Sequence, residues 1–150
     1  MNKKDTVVFD LDGTLLDTLE DLKNSVNYAM TQCVYPEHTL DEVRRYVGNG
    51  ILLLMQRAIP GGKDDPNFDK AFTLFKEHYG KHCNDTTKPY AGIMELLHTL
   101  KENNIKIAIV SNKADFAVKE LNAIYFKDLI PVAIGEKESE GIRKKPAPDT

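Results

Sequence analysis

The stretch Val7-Val8-Phe9-Asp10-Leu11-Asp12-Gly13-Thr14-Leu15-Leu16-Asp17 decides how this chain is read. Two β-branched residues and an aromatic run directly into a pair of aspartates separated by one residue, then into Gly-Thr. A short apolar run bounded by a turn signal predicts a buried strand. That strand is expected to stop at Gly13, where the backbone is free to turn sharply. Side chains two apart on an extended chain point the same way. Asp10 and Asp12 can therefore offer both carboxylates to one site at the strand's carboxyl end, where open α/β sheets bind ligands. Two carboxylates so close repel unless a cation lies between them. Such a pocket suits a Mg²⁺ ion, a nucleophile and a proton carrier together. The plainer reading is a solvated strand exit, since Asp and Gly are ordinary turn residues. Against it, Asp-x-Asp-Gly-Thr is expected by chance in only about one in a thousand chains of this length.

Working outward, 150 residues suit one domain or a core with a small insertion. A 41% hydrophobic and 29% charged composition is that of a soluble globular protein. The net charge is −3, and Arg143-Lys144-Lys145 is the sole basic cluster, which argues against nucleic acid as a partner. The longest apolar run, Ile51 to Met55, is too short to span a membrane. The basic start Met1-Asn2-Lys3-Lys4 precedes an apolar run that Asp10 and Asp12 interrupt, so it does not read as a signal peptide. Cys33 and Cys83 stand apart without metal-type spacing, which fits a reducing, cytoplasmic location.

Between residues 18 and 88 the pattern is helical throughout. Leu22, Val26, Ala29, Met30 and Cys33 recur at helical spacing, with Thr18 as the expected cap and Glu20 and Asp21 at the positive dipole end. Thr39-Leu40-Asp41-Glu42 has the form of a capping box. Gly48-Asn49-Gly50 interrupts the helices, Ile51 to Ile59 forms a third, and Phe68, Phe72, Phe75 and Tyr79 carry a fourth. After Pro89-Tyr90-Ala91-Gly92 the pattern changes. A helix over Ile93 to Leu100, a strand over Ile105 to Val110, a helix through Ala114 to Leu121 and a strand at Val132 to Ile134 imply a parallel sheet wrapped in helices. The expected organisation is an α/β core from residues 1–17 and 89–150, with a helical bundle over 18–88 inserted after the first strand.

Further candidates lie in that core. Ser111 and Asn112 follow the second strand directly. A hydroxyl there, beside the amides of a helix start, can hold a phosphate oxygen or simply cap the helix. Lys145 precedes Pro146-Ala147-Pro148-Asp149 and can be held in an extended turn before a helix start, as a fixed ammonium against phosphate and aspartate charge; the other reading is a solvated basic run. His78 and His82 stand four apart with no third ligand, and read as a solvated helix face.

The first stretch resembles the opening motif of the haloacid dehalogenase superfamily of phosphohydrolases. The resemblance implies an α/β fold with a Rossmann-like parallel sheet and a helical cap inserted behind the first motif. It implies that Asp10 attacks phosphorus to give an aspartyl-phosphate and that Asp12 acts as general acid and base. Mg²⁺ is then held by the Asp10 carboxylate and the Asp12 carbonyl. Thr14 falls where the family places a hydroxyl near the phosphate, although it could equally tie down its own turn. Ser111 matches the second motif, with Asn112 beside it, and Lys145 matches the lysine of the third. The fourth, acidic motif has no counterpart, because only five residues follow Lys145; the resemblance implies that the C-terminal part of the core is missing from this stretch and leaves an unpaired strand edge. Within the superfamily the sequence is most similar to bacterial phosphoglycolate phosphatases, through residues 9–18, Val47-Gly48-Asn49-Gly50, Pro89-Tyr90-Ala91-Gly92 and Val110-Ser111-Asn112-Lys113. That implies a small phosphorylated metabolite as substrate, and a role for Gly48, Asn49 and Gly50 in binding it; a plain turn is the alternative for those three. The competing functions are a β-phosphoglucomutase-like transferase or a pyrophosphatase of the same superfamily, and a non-catalytic phosphate-binding or regulatory module.

Overall fold

The computed structural model describes residues 5–149; the basic start at residues 1–4 lies outside them. In chain order the elements are β1 (Thr6–Phe9), β2 (Leu16–Asp17), α1 (Leu19–Gln32), α2 (Leu40–Tyr46), α3 (Ile51–Ala58), α4 (Phe68–His82), β3 (Lys88–Pro89), α5 (Ile93–Glu102), β4 (Lys106–Ala114), α6 (Asp115–Tyr125) and β5 (Val132–Glu136). Short 3₁₀ turns at Gly62–Asp64 and Glu138–Glu140 complete the list. The residues divide into two compact units, one running to Asp17 and resuming at Lys88, the other spanning Thr18–Thr87.

The first unit is built on a parallel sheet of order β1-β4-β5. Its alternation buries Ile107 and Ile109 of β4 and Ala133 of β5 against Leu97 of α5 and Val118 and Leu121 of α6. The expected topology is therefore present, with three differences. First, β1 is not buried but forms the unpaired edge that the resemblance implied: among the described residues it pairs only with β4, and Val8 is 58% exposed. An apolar run announces a strand but cannot say which neighbours cover it. Second, β1 ends at Phe9 rather than at Gly13. Third, β4 continues four residues beyond Val110, to Ala114, with an irregular register against β5. Gly135 permits this: a Cβ there would lie 2.5 Å from the Lys113 carbonyl oxygen and from the Asp115 Cα. The Asp115 carboxylate accepts the Gly135 amide at 2.9 Å. Burial alone would raise the Asp115 pKa, but that amide, Lys119 and Lys137 outweigh it and hold it below the usual value. The two-residue strands β2 and β3 pair antiparallel where the chain leaves and re-enters this unit. They are too short to show in any periodicity.

The second unit is four α-helices around Val26, Met30, Val43, Leu54, Met55 and Phe75. The capping box at the start of α2 is present in both directions, between Thr39 and Glu42. Thr18, by contrast, makes no side-chain cap to α1. Asp21 also does more than favour a helix dipole. It is 1% exposed, and its two oxygens accept the backbone amides and the hydroxyls of both Thr86 and Thr87 at 2.7–3.0 Å. One carboxylate thus fastens the last residues of the unit to its first helical turn. His78 is not on a solvated face either. Its Nδ1 lies 2.8 Å from the buried Ser25 Oγ, and its ring stacks on Tyr28 and His82. The helical period located the histidines, but which neighbour α4 packs on was not in the pattern.

Candidate active site

The loop after β1 is held by its leucines. Leu11, Leu15 and Leu16 are fully buried, and the Leu11 carbonyl accepts the amides of Thr14, Leu15 and Leu16 at 3.0–3.2 Å. Gly13, at φ 74°, supplies the left-handed step that such a tight turn requires. With Leu11 pinned inward, Asp10, Asp12 and Thr14 are left at the surface of the unit, Asp12 half-buried and the other two exposed. The two aspartates flank the buried Leu11 in an anchored turn rather than on a strand, because β1 ends at Phe9.

Because β1 and β4 are parallel and Phe9 pairs with Ile109, Asp10 leaves the sheet beside Val110. Lys145 closes this gap. Its Nζ donates to Asp10 Oδ1 at 3.1 Å and to the Val110 carbonyl at 2.8 Å, so one ammonium bridges the ends of two strands. The Lys145 backbone is clamped in turn by the Asn112 side chain: its amide donates to Asn112 Oδ1 at 2.8 Å, and Asn112 Nδ2 donates to its carbonyl at 3.3 Å. The neighbouring Lys144 points instead to Glu138, at 3.6 Å. Lys145 sits in a tight turn closed by the Ala147 amide and the Lys144 carbonyl, not in an extended lead into a helix.

Ser111 does not cap α6, which begins at Asp115 with Ala114 as its cap position. Its hydroxyl is buried inside β4 and accepts the Lys113 amide at 3.1 Å. Asn112 was expected at a phosphate; its side-chain amide instead engages Lys145 in this structure. The alternation of β4 continues through Ile107, Ile109, Ser111 and Lys113, all buried. Nothing in the local pattern marks Lys113, yet its Nζ donates to Asp12 Oδ1 at 2.9 Å from a side chain only 4% exposed. Extending the strand's period of two past Val110 would have placed that lysine on the inward face. A buried lysine needs a charged partner.

In the helical unit, Gly48 and Gly50 both adopt positive φ (115° and 87°), and Gly50 opens α3. Arg57 fastens the turn between them, donating to the Tyr46 carbonyl at 2.8 Å and to Asn49 Oδ1 at 3.0 Å.

The first unit therefore gathers two carboxylates and two ammonium groups at the carboxyl ends of β1 and β4. Their charges balance, and a phosphate dianion entering such a site would add two negative charges to it. That excess calls for a divalent cation. The Asp10 carboxylate and the Asp12 carbonyl are hard oxygens of the kind Mg²⁺ takes, an ion that binds one or two carboxylates and fills its shell with water and phosphate oxygens. Among the described residues no group of three acidic, His or Cys side chains surrounds a metal position.

An aspartate-based site of this kind, at the mouth of a parallel sheet interrupted after its first strand by a helical unit, defines the chain's class. It belongs to the haloacid dehalogenase-like hydrolase family, whose profile matches residues 7–150. Among curated proteins it is similar to a phosphoglycolate phosphatase of Nitrosospira multiformis, 33% identical over 147 residues, covering 95% of this chain and 64% of that protein. A phosphoglycolate phosphatase of Thiobacillus denitrificans is 35% identical over 113 residues, covering 73% of this chain and 50% of that one. The chain thus spans about half to two thirds of the length of these two relatives. Among solved structures it superposes with a TM-score of 0.91 on a Lactobacillus delbrueckii protein provisionally named a phosphoglycolate phosphatase. That match has 32% identity and covers 99% of this chain and 70% of that one. The phosphate complex of CbbY from Rhodobacter sphaeroides shares the fold, at a TM-score of 0.70 and 19% identity.

Proposed function

We propose that the protein containing this chain is a Mg²⁺-dependent phosphomonoester hydrolase that works through an aspartyl-phosphate on Asp10, with 2-phosphoglycolate as substrate. The observation that carries this reading is the pairing of each aspartate with its own lysine at one end of the sheet: Asp10 with Lys145, and Asp12 with Lys113. Asp10 has 47% of its side chain exposed, which leaves it accessible to a phosphoryl group. An Asp10 oxygen attacks phosphorus while Asp12, having taken up a proton in the substrate complex, gives that proton to the departing alkoxide as the P–O bond breaks, releasing glycolate. Asp12 then takes a proton from water, whose oxygen attacks the same phosphorus, and inorganic phosphate leaves as the Asp10 carboxylate re-forms. Lys145 offsets charge on the transferring group and Thr14 lies near the phosphate, while Ser111 and Asn112 act in this reading by holding the Lys113 and Lys145 backbones beside it. Asp10 and the Asp12 carbonyl would hold Mg²⁺, which would supply charge neutralisation for the phosphoryl group. The helical unit, residues 18–88 in this reading, serves as the cap, and Gly48, Asn49 and Gly50 contribute to substrate choice from it. We assign the protein to the cytoplasm because the isolated Cys33 and Cys83 fit a reducing compartment; separately, no described helix is long and apolar enough to cross a membrane.

The test is phosphate release from 2-phosphoglycolate with and without Mg²⁺, together with hydroxylamine trapping of the acyl phosphate. Turnover that requires Mg²⁺, and trapping that disappears in Asp10→Asn, is the expected result. A phosphoryl group delivered to a sugar rather than to water would replace the hydrolase with a transferase. Phosphate binding without any trapped intermediate would leave a binding module.

A further inference from the structure

We infer that Lys113 is a positioning residue for Asp12: its buried ammonium fixes the orientation of the carboxylate that the proposed reaction uses for proton transfer. The inference rests on the reading of Asp12 as general acid and base, and adds a residue to it.

Three observations converge on Lys113. Its residue is 6% exposed, whereas Lys145, the other cation of the site, has 34% of its side chain exposed. A lysine so deeply placed is there for a fixed partner rather than for solvent. That partner is Asp12, 101 positions away in sequence, at 2.9 Å. The backbone around Lys113 is also specified by its neighbours. The Ser111 hydroxyl accepts its amide, and Gly135 leaves room for its carbonyl where any other side chain would collide. A long flexible side chain anchored at both ends holds a carboxylate better than hydrogen bonds from mobile groups do. Charge-assisted bonds of this kind are about twice as strong as neutral ones. Proton transfer depends on such placement, since a donor displaced by about 1 Å can lose two orders of magnitude in rate.

The test uses the full-length gene product with Mg²⁺ and 2-phosphoglycolate, in the wild type, Lys113→Met, Lys113→Arg, Asp12→Asn and the Asp12→Asn/Lys113→Met double variant. Lys113→Met is expected to lower kcat by about 100-fold, the scale of a general acid's contribution, while KM stays within about 3-fold, as for an interaction used in the transition state only. Lys113→Arg, which keeps the charge, should recover part of the lost kcat. The double variant should be no slower than Asp12→Asn alone, because Lys113 acts through that carboxylate. Thermal melting supplies a readout independent of turnover. Asp12→Asn, which takes the negative charge away from a buried ammonium, should lower the melting temperature, and removing Lys113 in that background should restore part of it. A Lys113→Met enzyme with wild-type kcat, a fully additive double variant, or melting temperatures that fall additively would overturn the inference. If Asp12→Asn itself retains kcat, the general-acid reading fails and takes the inference with it. If Asp12→Asn is inactive and Lys113→Met is normal, that reading stands and the role of Lys113 alone is lost.

Discussion

Replacing Asp21 by Ala should destabilise the helical unit by about 2.5–6 kcal/mol, from charge-assisted hydrogen bonds lost and a buried donor deprived of its acceptor. The structure gives the parts of that figure. Four donors meet the carboxylate: the amides and hydroxyls of Thr86 and Thr87. Thr86 is exposed, so water can take its two donors. The Thr87 hydroxyl already donates to the Cys83 carbonyl at 3.1 Å and can turn fully to it. The Thr87 amide, on a residue 7% exposed, loses the carboxylate acceptor it meets at 2.9 Å, a change of about 1–3 kcal/mol for a buried donor. Loss of the charge-assisted bonds adds about 1.5–3 kcal/mol. Against a typical total of about 5–15 kcal/mol, this is a severe defect. The chain has six Tyr and no Trp, so urea unfolding followed by far-ultraviolet circular dichroism is the suitable assay. Glu20→Ala is the control. Glu20 lies in the same first turn but pairs with Lys23 at the surface, at 2.8 Å, and its loss should cost under about 1 kcal/mol. If Asp21→Ala and Glu20→Ala had equal, small effects, Asp21 would be acting on the helix dipole alone and the argument from its bonds to Thr86 and Thr87 would be wrong.

Two further perturbations probe the same unit. Val34 is 91% exposed and holds φ 60° at the end of α1, where the Tyr35 amide reaches back to the Met30 carbonyl at 2.8 Å; a β-branched residue is strained there by about 1–2 kcal/mol. Val34→Gly should therefore raise the melting temperature, with a net gain of about 0.5–1 kcal/mol after the added freedom of the unfolded chain, and a lower melting temperature would contradict the assignment. His78 has its pKa pushed below the ordinary histidine value, first by burial and then by His82, with Asp85 opposing. The folded state thus favours the neutral ring. Its contribution is intact above the unfolded value of about 6.5 and is lost as pH falls through the lower folded value. Melting at pH 5.5 should be lower than at pH 7.5, and His78→Gln should flatten that difference; an unchanged slope would assign the effect to other groups.

Local sequence determined much of this protein. The run from Val7 to Phe9 ending in Asp-x-Asp-Gly-Thr announced a strand, a turn and an acidic site. Helical periodicity located α1 to α4, the Thr39–Glu42 capping box specified the start of α2, and the order of elements implied the parallel sheet. These features depend on neighbours within a few residues, which is the range over which side-chain periodicity and backbone propensity act. The tertiary structure decided the rest. That Lys113 meets Asp12, that Asn112 clamps the backbone of Lys145, and that Asp21 receives Thr86 and Thr87 are contacts between residues 33 to 101 positions apart. Lysine, asparagine and aspartate are compatible with many surface settings, so their identity alone does not name a partner. Only closure of the sheet, with β4 running past Val110 against Gly135, turns an ordinary-looking Ser-Asn-Lys into the segment that orders both aspartates. Burial then makes the pairing obligatory, because a charge removed from water must find its counter-charge within the fold.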